Sequence, residues 1–280
     1  MPCSAATGRA CRRSNPTATT SPGCTVRTGP RPNATGKRRW PASTTPTVLG
    51  IDSAPGRQGA GDIRKRSLQL SAAATQSLQQ FVKHQRLTLN TLAQAAWGLL
   101  LGRYSGSDDV VFGITVSGRP AELIGIEDQV GLFINTLPMR VRIKPETRLD
   151  DWLRDLFAQN QDMRRYDCAR SLAEAAPTGR GPKRRKPVRQ LLVFENYPLD
   201  QALMQLGGPL KLDEVAGVDP TNYPLTLTVF PGERLQLEIT HDSSRFSDAT
   251  IAAMLAHLQQ LLVAFAEQPQ TQPNWATCRH

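Results

Sequence analysis

The spacing of apolar residues along the chain predicts four helices. In each of them hydrophobic side chains recur three and four positions apart, so they share one helix face. Capping residues or helix breakers mark several ends, such as Ser71 before the first helix and Gly106 after the second. The predicted helices span residues 71–85, 88–104, 149–166 and 247–268.

Short runs rich in β-branched residues between the helices predict strands. The run DVVFGITV is typical of a central strand, and two alternating runs flank the turn Pro231–Arg234 as in a hairpin. Because helices alternate with short strands, the sequence predicts the α/β class: a mixed β-sheet covered by helices, with the apolar helix over 88–104 packed against it. The predicted strands span residues 62–70, 109–116, 191–195, 225–230 and 235–241.

The formal net charge of +10 is concentrated in two segments. Residues 1–40 carry eight Lys and Arg, residues 175–190 carry six, and neither segment has an acidic residue. The other residues carry 20 basic and 24 acidic side chains, so the patterned part of the chain is mildly acidic. The cluster Lys183–Lys186 has no interleaved aromatic residues for base stacking, which favours a solvated loop and predicts no nucleic-acid partner.

Composition divides the chain into a patterned domain and atypical segments. Residues 1–44 are too poor in aliphatic side chains to bury a core, and we expect them to be disordered. Residues 175–190 have no periodicity and are predicted to form a basic loop. The predicted domain therefore covers residues 45–269, with a short tail over 270–280.

The apolar content predicts no membrane span. The longest candidate, residues 87–104, is interrupted by Asn, Gln and Arg, and the N-terminal arginines precede no apolar stretch of the signal-peptide kind. We therefore expect no membrane partner and a cytoplasmic location. The five cysteines share no metal-ligand spacing, so the sequence predicts no metal site.

The sequence offers little catalytic machinery of its own. It contains no phosphate-binding glycine loop, HExxH, paired CxxC or GxSxG. Of the four histidines, His257 is predicted at a helix surface or boundary. Only His241–Asp242 resembles a general base beside a carboxylate, but adjacent strand residues point to opposite faces, which favours a structural role for His241.

Polar residues at two strand boundaries are the remaining candidates. Ser117, Gly118 and Arg119 follow a predicted buried strand, either as a functional loop or as a simple strand exit. Asn135 and Thr136 interrupt an apolar run, so they need hydrogen bonds if they are buried. Either they pin a backbone turn or they face a solvated channel.

Four runs of the sequence, taken in order, resemble a known family. They are LTLNTLAQAAWGLLLGRYSGSDDVVFGITVSGRP, VGLFINTLPMRV, LLVFENYPLD and NYPLTLTVFPGERLQLEITHD. They are similar to the C-terminal lobe of nonribosomal peptide synthetase condensation domains, over residues 45–269. The resemblance implies one lobe of a two-lobed, chloramphenicol acetyltransferase-like fold. It also implies that Ser117, Gly118, Arg119, Asn135 and Thr136 line a substrate tunnel.

The family implies a reaction and its partners. Its two lobes form a V that phosphopantetheine arms of carrier domains enter from both sides, and an amide bond forms between the thioesters that they carry. The resemblance implies no metal and no diffusible cofactor. The family's catalytic motif HHxxxDG belongs to the first lobe and does not occur in this sequence, so we assign no catalytic residue here. The expected partners are carrier domains or a separate first lobe, and we expect the chain alone to be inactive.

The two atypical segments coincide with the departures from the family. Residues 1–44 and 175–190 are rich in Arg, Pro, Gly and Ala, as a GC-rich gene translated in another frame would be. This composition leads to the hypothesis of a frameshifted or truncated gene fragment. Two alternatives stay open: a related carrier-dependent acyltransferase that forms esters, and a basic nucleic-acid-binding protein.

Overall fold

The computed structural model of this chain describes residues 46–53, 62–117, 125, 130–131, 133–164, 188–195 and 222–267. The predictions for residues 1–44, for the tail 270–280 and for most of the segment 175–190 lie outside this part of the chain. The described elements are, in chain order, β1 (Ile63–Gln69), α1 (Ala72–Gln85), α2 (Leu89–Ser105), β2 (Asp109–Val116), β3 (Asn135–Arg142), α3 (Leu149–Arg164), β4 (Gln190–Phe194), β5 (Leu225–Phe230), β6 (Gln236–Asp242) and α4 (Asp248–Glu267).

The strands form one six-stranded sheet in the order β1-β6-β5-β4-β2-β3. Strand β4 pairs in parallel with β2 and with β5, and the other neighbours are antiparallel. This mixed sheet, with helices packed on it, confirms the predicted fold class. The four predicted helices and five predicted strands are all present, and β3 is an additional edge strand.

Helix α2 lies at the centre of the helix layer and is buried over the twelve residues from Thr91 to Gly102. It begins after Thr88, whose hydroxyl accepts a hydrogen bond from the N–H of Thr91 at 3.2 Å. It ends at Gly106, which has the positive φ of 68° that favours glycine. Gly98 allows α2 to approach β3 closely, since a Cβ there would lie 2.8 Å from Cγ1 of Val141.

We expect Gly98→Ala to destabilise the protein. The new methyl group would overpack the contact with Val141, at a cost of about 1–3 kcal/mol, of which the better helix propensity of alanine offsets up to about 1 kcal/mol. Urea unfolding measures the difference. In the Val141→Ala background the same substitution should become neutral or stabilising, and an unchanged cost there would contradict the assignment.

Residues 46–53 are built into the sheet although they precede the first strand. The Thr47 hydroxyl accepts a hydrogen bond from the N–H of Val111 at 2.8 Å and donates one to the carbonyl of Val111 at 3.1 Å. Strand β4 pairs with β2 only at Gly113 and Ile114, so Thr47 satisfies the backbone of β2 where β4 does not reach it.

A charged cluster fixes the end of the same segment. The Asp52 carboxylate is 5% exposed and accepts hydrogen bonds from Arg245 Nε at 2.9 Å and from Arg189 Nη1 at 3.4 Å. Arg245 also forms a second, shorter bond to it. The cluster therefore ties residues 46–53 to the entrance of β4 and to the turn after β6.

Strand β4 begins at Gln190, so the predicted loop over 175–190 is wrong at its last residue, and most of that segment lies outside the described residues. Val188 is buried, and Gln190 donates a hydrogen bond from Nε2 to the carbonyl of Thr47 at 3.2 Å. Val188 is a single apolar residue in a basic segment, so no periodic pattern could predict its burial.

Helix α4 is, within the described residues, the one helix long and apolar enough to cross a membrane. Residues 87–104, in which no span was predicted, contain the buried core helix α2. The composition of α4 is weak evidence for a membrane span, because the core helix of a folded domain can have the same composition. Six side chains of α4 lie in the core: Ile251, Met254, Leu255, Leu258, Leu262 and Phe265.

Candidate functional site

The end of β2 and the start of β3 lie side by side and bring three of the predicted site residues together. Val116 is opposite Asn135, and Thr115 is opposite Thr136. Ser117 follows β2 directly and is exposed. Two further predicted site residues, Gly118 and Arg119, lie outside the described part of the chain.

The two polar residues of β3 have different surroundings. The Asn135 side chain turns back on the backbone, where its Oδ1 accepts a hydrogen bond from the N–H of Thr136 at 2.8 Å. The Thr136 side chain lies over Gly113, with its Cγ2 3.1 Å from the position that a Cβ of Gly113 would take. Asn135 therefore bonds to the backbone at the start of the strand. That either residue lines a channel stays a prediction.

The faces of the sheet differ in chemistry. Residues of β3 at Leu137, Met139 and Val141 belong to the main core beneath the helices. Thr136 alternates with them and points to the opposite face, as does Thr115, which pairs with it. The candidate site therefore lies at one end of β2 and β3, with Thr136 on the face that is turned away from the described helices.

Apolar side chains lie exposed next to this site. Val130 is 94% exposed and Ile134 is 57% exposed, whereas Phe133 between them is buried. Exposed apolar residues clustered in a short segment are typical of a surface that meets a partner. Ile134 thus presents an exposed apolar side chain directly before Asn135.

His241 lies in β6, towards the other edge of the sheet, and faces the helices. Its partner in β5 is Leu225, the first residue of that strand, whereas Ser117 and Asn135 lie where β2 ends and β3 begins. His241 is 1% exposed, so a solvated substrate has no direct route to it. These positions support the structural role predicted for His241.

The carboxylate beside His241 belongs to Asp248, a residue that sequence reasoning missed. Asp248 Oδ1 is 3.2 Å from His241 Nε2, whereas Asp242 accepts hydrogen bonds from Ser244. Asp248 is in the first turn of α4, where an acidic residue is favourable, and that position is the signal that could have identified it.

Asp248 also binds two arginines of β1. Its Oδ2 is 3.2 Å from Arg64 Nη1 and 3.3 Å from Arg66 Nη2. Burial works to raise the pKa of Asp248, but the hydrogen bond from Arg66, the charge of Arg64 and the hydrogen bond from His241 outweigh it and hold that pKa below its ordinary value of 3.8.

We expect Asp248→Asn to destabilise the protein at neutral pH and not at acid pH. A carboxylate whose pKa is lowered by folding stabilises the protein above its unfolded pKa, and this contribution is lost as the pH falls through the folded pKa. Unfolding at a series of values from about pH 7 to about pH 3 should show the two proteins converging. Asp155→Asn, which removes an exposed partner of Lys144, is the control and should have little effect. A difference that is independent of pH would contradict the expectation.

Within the described residues no group of three His, Cys, Asp or Glu side chains could hold a metal ion. His257, half-buried as predicted, is 3.0 Å from the Tyr104 hydroxyl through its Nδ1. The polar side chains that the structure describes at the candidate site, those of Ser117, Asn135 and Thr136, carry hydroxyl and amide groups.

Comparison with known proteins gives consistent findings. Residues 45–276 match the model of the family described as "Condensation domain". A linear gramicidin synthase protein of Brevibacillus parabrevis is 39% identical over 238 residues, which cover 82% of this chain and 5% of that protein. Chondramide synthase cmdD of Chondromyces crocatus is 38% identical over 228 residues, which cover 81% of this chain and 6% of that protein.

Solved structures share the fold at low sequence identity. The first condensation domain of the CDA synthetase superposes with a TM-score of 0.67 at 14% identity, covering 92% of this chain and 55% of that one. The X-domain from teicoplanin biosynthesis superposes with a TM-score of 0.69 at 18% identity, covering 93% of this chain and 57% of that one. The chain thus spans little more than half of each of these structures.

Proposed function

The chain belongs to the condensation-domain family of nonribosomal peptide synthetases, and on that premise we propose that it supplies the C-terminal lobe of a two-lobed, amide-forming condensation site. The observation that carries the proposal is the position of VGLFINTLPMR, the run that resembles the family's tunnel motif. It leads into β3, where Asn135 and Thr136 lie beside the end of β2. Ser117, Gly118 and Arg119 would continue the same wall.

The proposed reaction joins two carrier-bound groups. The amine of an aminoacyl thioester attacks the carbonyl carbon of an acyl or peptidyl thioester, a C–N bond forms, and the C–S bond breaks. The amine loses a proton and the departing sulfur gains one, so a thiol is released. Both substrates would arrive on phosphopantetheine arms of carrier domains, and the reaction needs no metal ion.

This lobe would form part of the tunnel wall and position the substrates, and the first lobe would supply the general base. HHxxxDG does not occur in this sequence, and His241 is buried on the helix side of the sheet. The exposed apolar residues Val130 and Ile134 are suited to contact with a first lobe. We therefore expect a separate first lobe and carrier domains as partners.

A peptide-bond assay with two loaded carrier proteins tests the proposal. We expect no product from the purified chain alone, and product when a first lobe carrying HHxxxDG is added. Turnover by the chain alone would contradict the division of roles between the lobes. Absence of product with the added lobe, when the two lobes are shown to bind each other, would contradict the proposed function.

A further inference from the structure

The two edge strands of the sheet, β3 and β1, differ in how their outer backbone groups are used. Gln159 of α3 donates a hydrogen bond from Nε2 to the carbonyl of Arg140 at 2.7 Å. Trp152, in the same helix, donates one from Nε1 to the carbonyl of Arg142 at 2.8 Å. Pro138, two residues before Arg140, has no N–H. Side chains of α3 and a proline therefore close the β3 edge to a further strand.

The outer edge of β1 has no such cover among the described residues. Of the described strands, β1 pairs with β6 alone. The carbonyl of Asp62 accepts a hydrogen bond from the N–H of Ser243, and the N–H of Leu70 donates one to the carbonyl of Leu235. Because hydrogen-bonded positions alternate along an antiparallel strand, these two contacts place the even-numbered residues of β1 towards β6. The odd-numbered residues turn their N–H and C=O groups outwards: Ile63, Lys65, Ser67 and Gln69.

Three of these residues leave their outward backbone groups open. Within the described part of the chain no hydrogen bond reaches the outward N–H or C=O of Ile63, Ser67 or Gln69, and all three residues are exposed. The strand is seven residues long, contains neither proline nor glycine, and pairs with β6 without a bulge. An edge of this length and regularity is a template on which an extended chain can add as a further strand.

Charge restricts which strand can add there. Arg64, Lys65 and Arg66 are consecutive, and β1 contains no acidic residue. Arg64 and Arg66 share the single carboxylate of Asp248, yet their side chains remain 53% and 50% exposed. Two guanidinium groups on one carboxylate leave one positive charge in excess. On the other face of β1, Lys65 forms an ion pair with Glu238.

These cations disfavour a second copy of β1 and favour an acidic strand. Like charges directly opposite each other destabilise a strand pair, so two β1 strands paired edge to edge would bring cations together. Basic residues on an edge also suppress non-specific strand addition. A strand with carboxylates beside Arg64 and Arg66 would instead form cross-strand pairs of opposite charge.

We propose that the outer edge of β1 is a docking surface for an extended, acidic segment of a partner protein, which adds to the sheet as a further strand. Main-chain hydrogen bonds to Ile63, Ser67 and Gln69 hold the segment. Its carboxylates contact Arg64 and Arg66. The surface lies at the opposite edge of the sheet from β3, about 24 Å away at the usual spacing of strands. The inference is therefore independent of the proposed condensation site, which docking at β1 leaves open.

Binding of an acidic model peptide to the full chain tests the proposal. The probe is a fluorescein-labelled peptide of the length of β1 in which glutamate and valine alternate. We expect saturable binding by fluorescence anisotropy, weakened by added salt because the charges are exposed. Amide exchange should slow at Ser67 and Gln69 and stay unchanged at Arg66 and Leu68, whose N–H groups already face β6. A peptide with lysine in place of glutamate should not bind.

Ser67→Pro is the variant that isolates the strand edge. Proline removes one outward N–H and leaves the bonds from β1 to β6 in place, so it should weaken binding about tenfold. Ser67→Ala keeps the N–H and should bind within about twofold of the wild type. If circular dichroism shows that Ser67→Pro does not fold, the double variant Arg64→Gln and Arg66→Gln replaces it and should weaken binding about fivefold.

Three results would overturn the inference: no saturable binding of the acidic peptide, equal binding of the lysine peptide, or unchanged affinity in the folded variant. Self-association of the chain that Ser67→Pro abolishes would assign the edge to a second copy of this chain and would also overturn it. Peptide formation by the two lobes enters none of these measurements, so failure of the proposed function would leave their outcome unaffected.

Discussion

Thr47→Val is expected to lower the free energy of unfolding by about 3 kcal/mol. The Thr47 hydroxyl satisfies both backbone groups of Val111, and both residues are buried. Valine has the same shape but no hydroxyl, so it leaves an N–H and a carbonyl without partners in the interior. Each unsatisfied buried group costs about 1–3 kcal/mol, which exceeds the small gain from burying one more methyl group.

Two control variants make this prediction specific to the hydroxyl. Thr47→Ser keeps the hydroxyl and should cost about 1 kcal/mol, the worth of one lost methyl group. Thr228→Val makes the same chemical change at a position of the sheet where the hydroxyl has no partner among the described residues, and should change stability by about 0.5 kcal/mol or less. Urea unfolding with tryptophan fluorescence provides the comparison. Equal effects of Thr47→Val and Thr228→Val would show that the backbone contacts of Thr47 are unimportant.

The local pattern predicted the helices and the central strands because their apolar residues form either periodic stripes or continuous runs. Helix α2 is apolar around most of its circumference, which predicts burial on all sides. Its residues from Thr91 to Gly102 are indeed buried. Strand β3 was harder to predict. It begins with two polar residues, which weaken the apolar pattern, and it contains Pro138, which a sheet accommodates mainly on an edge strand such as β3.

Contacts between distant parts of the chain could not be predicted from periodicity. Thr47 and Val111 are 64 positions apart, and Asp52 and Arg245 are 193 apart. Each of these residues is an ordinary polar or apolar residue in its own segment. Their partnership follows from the tertiary fold, which brings residues 46–53 against β2, the start of β4 and the turn after β6.

The candidate site, like the fold, could be predicted from the sequence only in part. Resemblance to the family located Asn135 and Thr136, but only the strand register separates their roles. Asn135 bonds to the backbone, while Thr136 points to the sheet face away from the described helices.

The second large effect concerns the general base, which the resemblance to the family implies is the second histidine of HHxxxDG in the first lobe. In the two-lobe assay, substitution of the second histidine of HHxxxDG by alanine in the added lobe should reduce the rate by about 10²- to 10⁴-fold, the usual contribution of a positioned base.

His241→Ala in this chain should leave that rate within about twofold, provided that the variant remains folded. His241 is buried beneath the helices, three strands away from β2, and its Nε2 is already engaged by Asp248. His241→Gln retains a polar group for Asp248 and separates loss of folding from loss of a base. If both His241 variants fold, as circular dichroism would report, and both abolish turnover, then the base lies in this chain and the proposed division between the lobes is wrong.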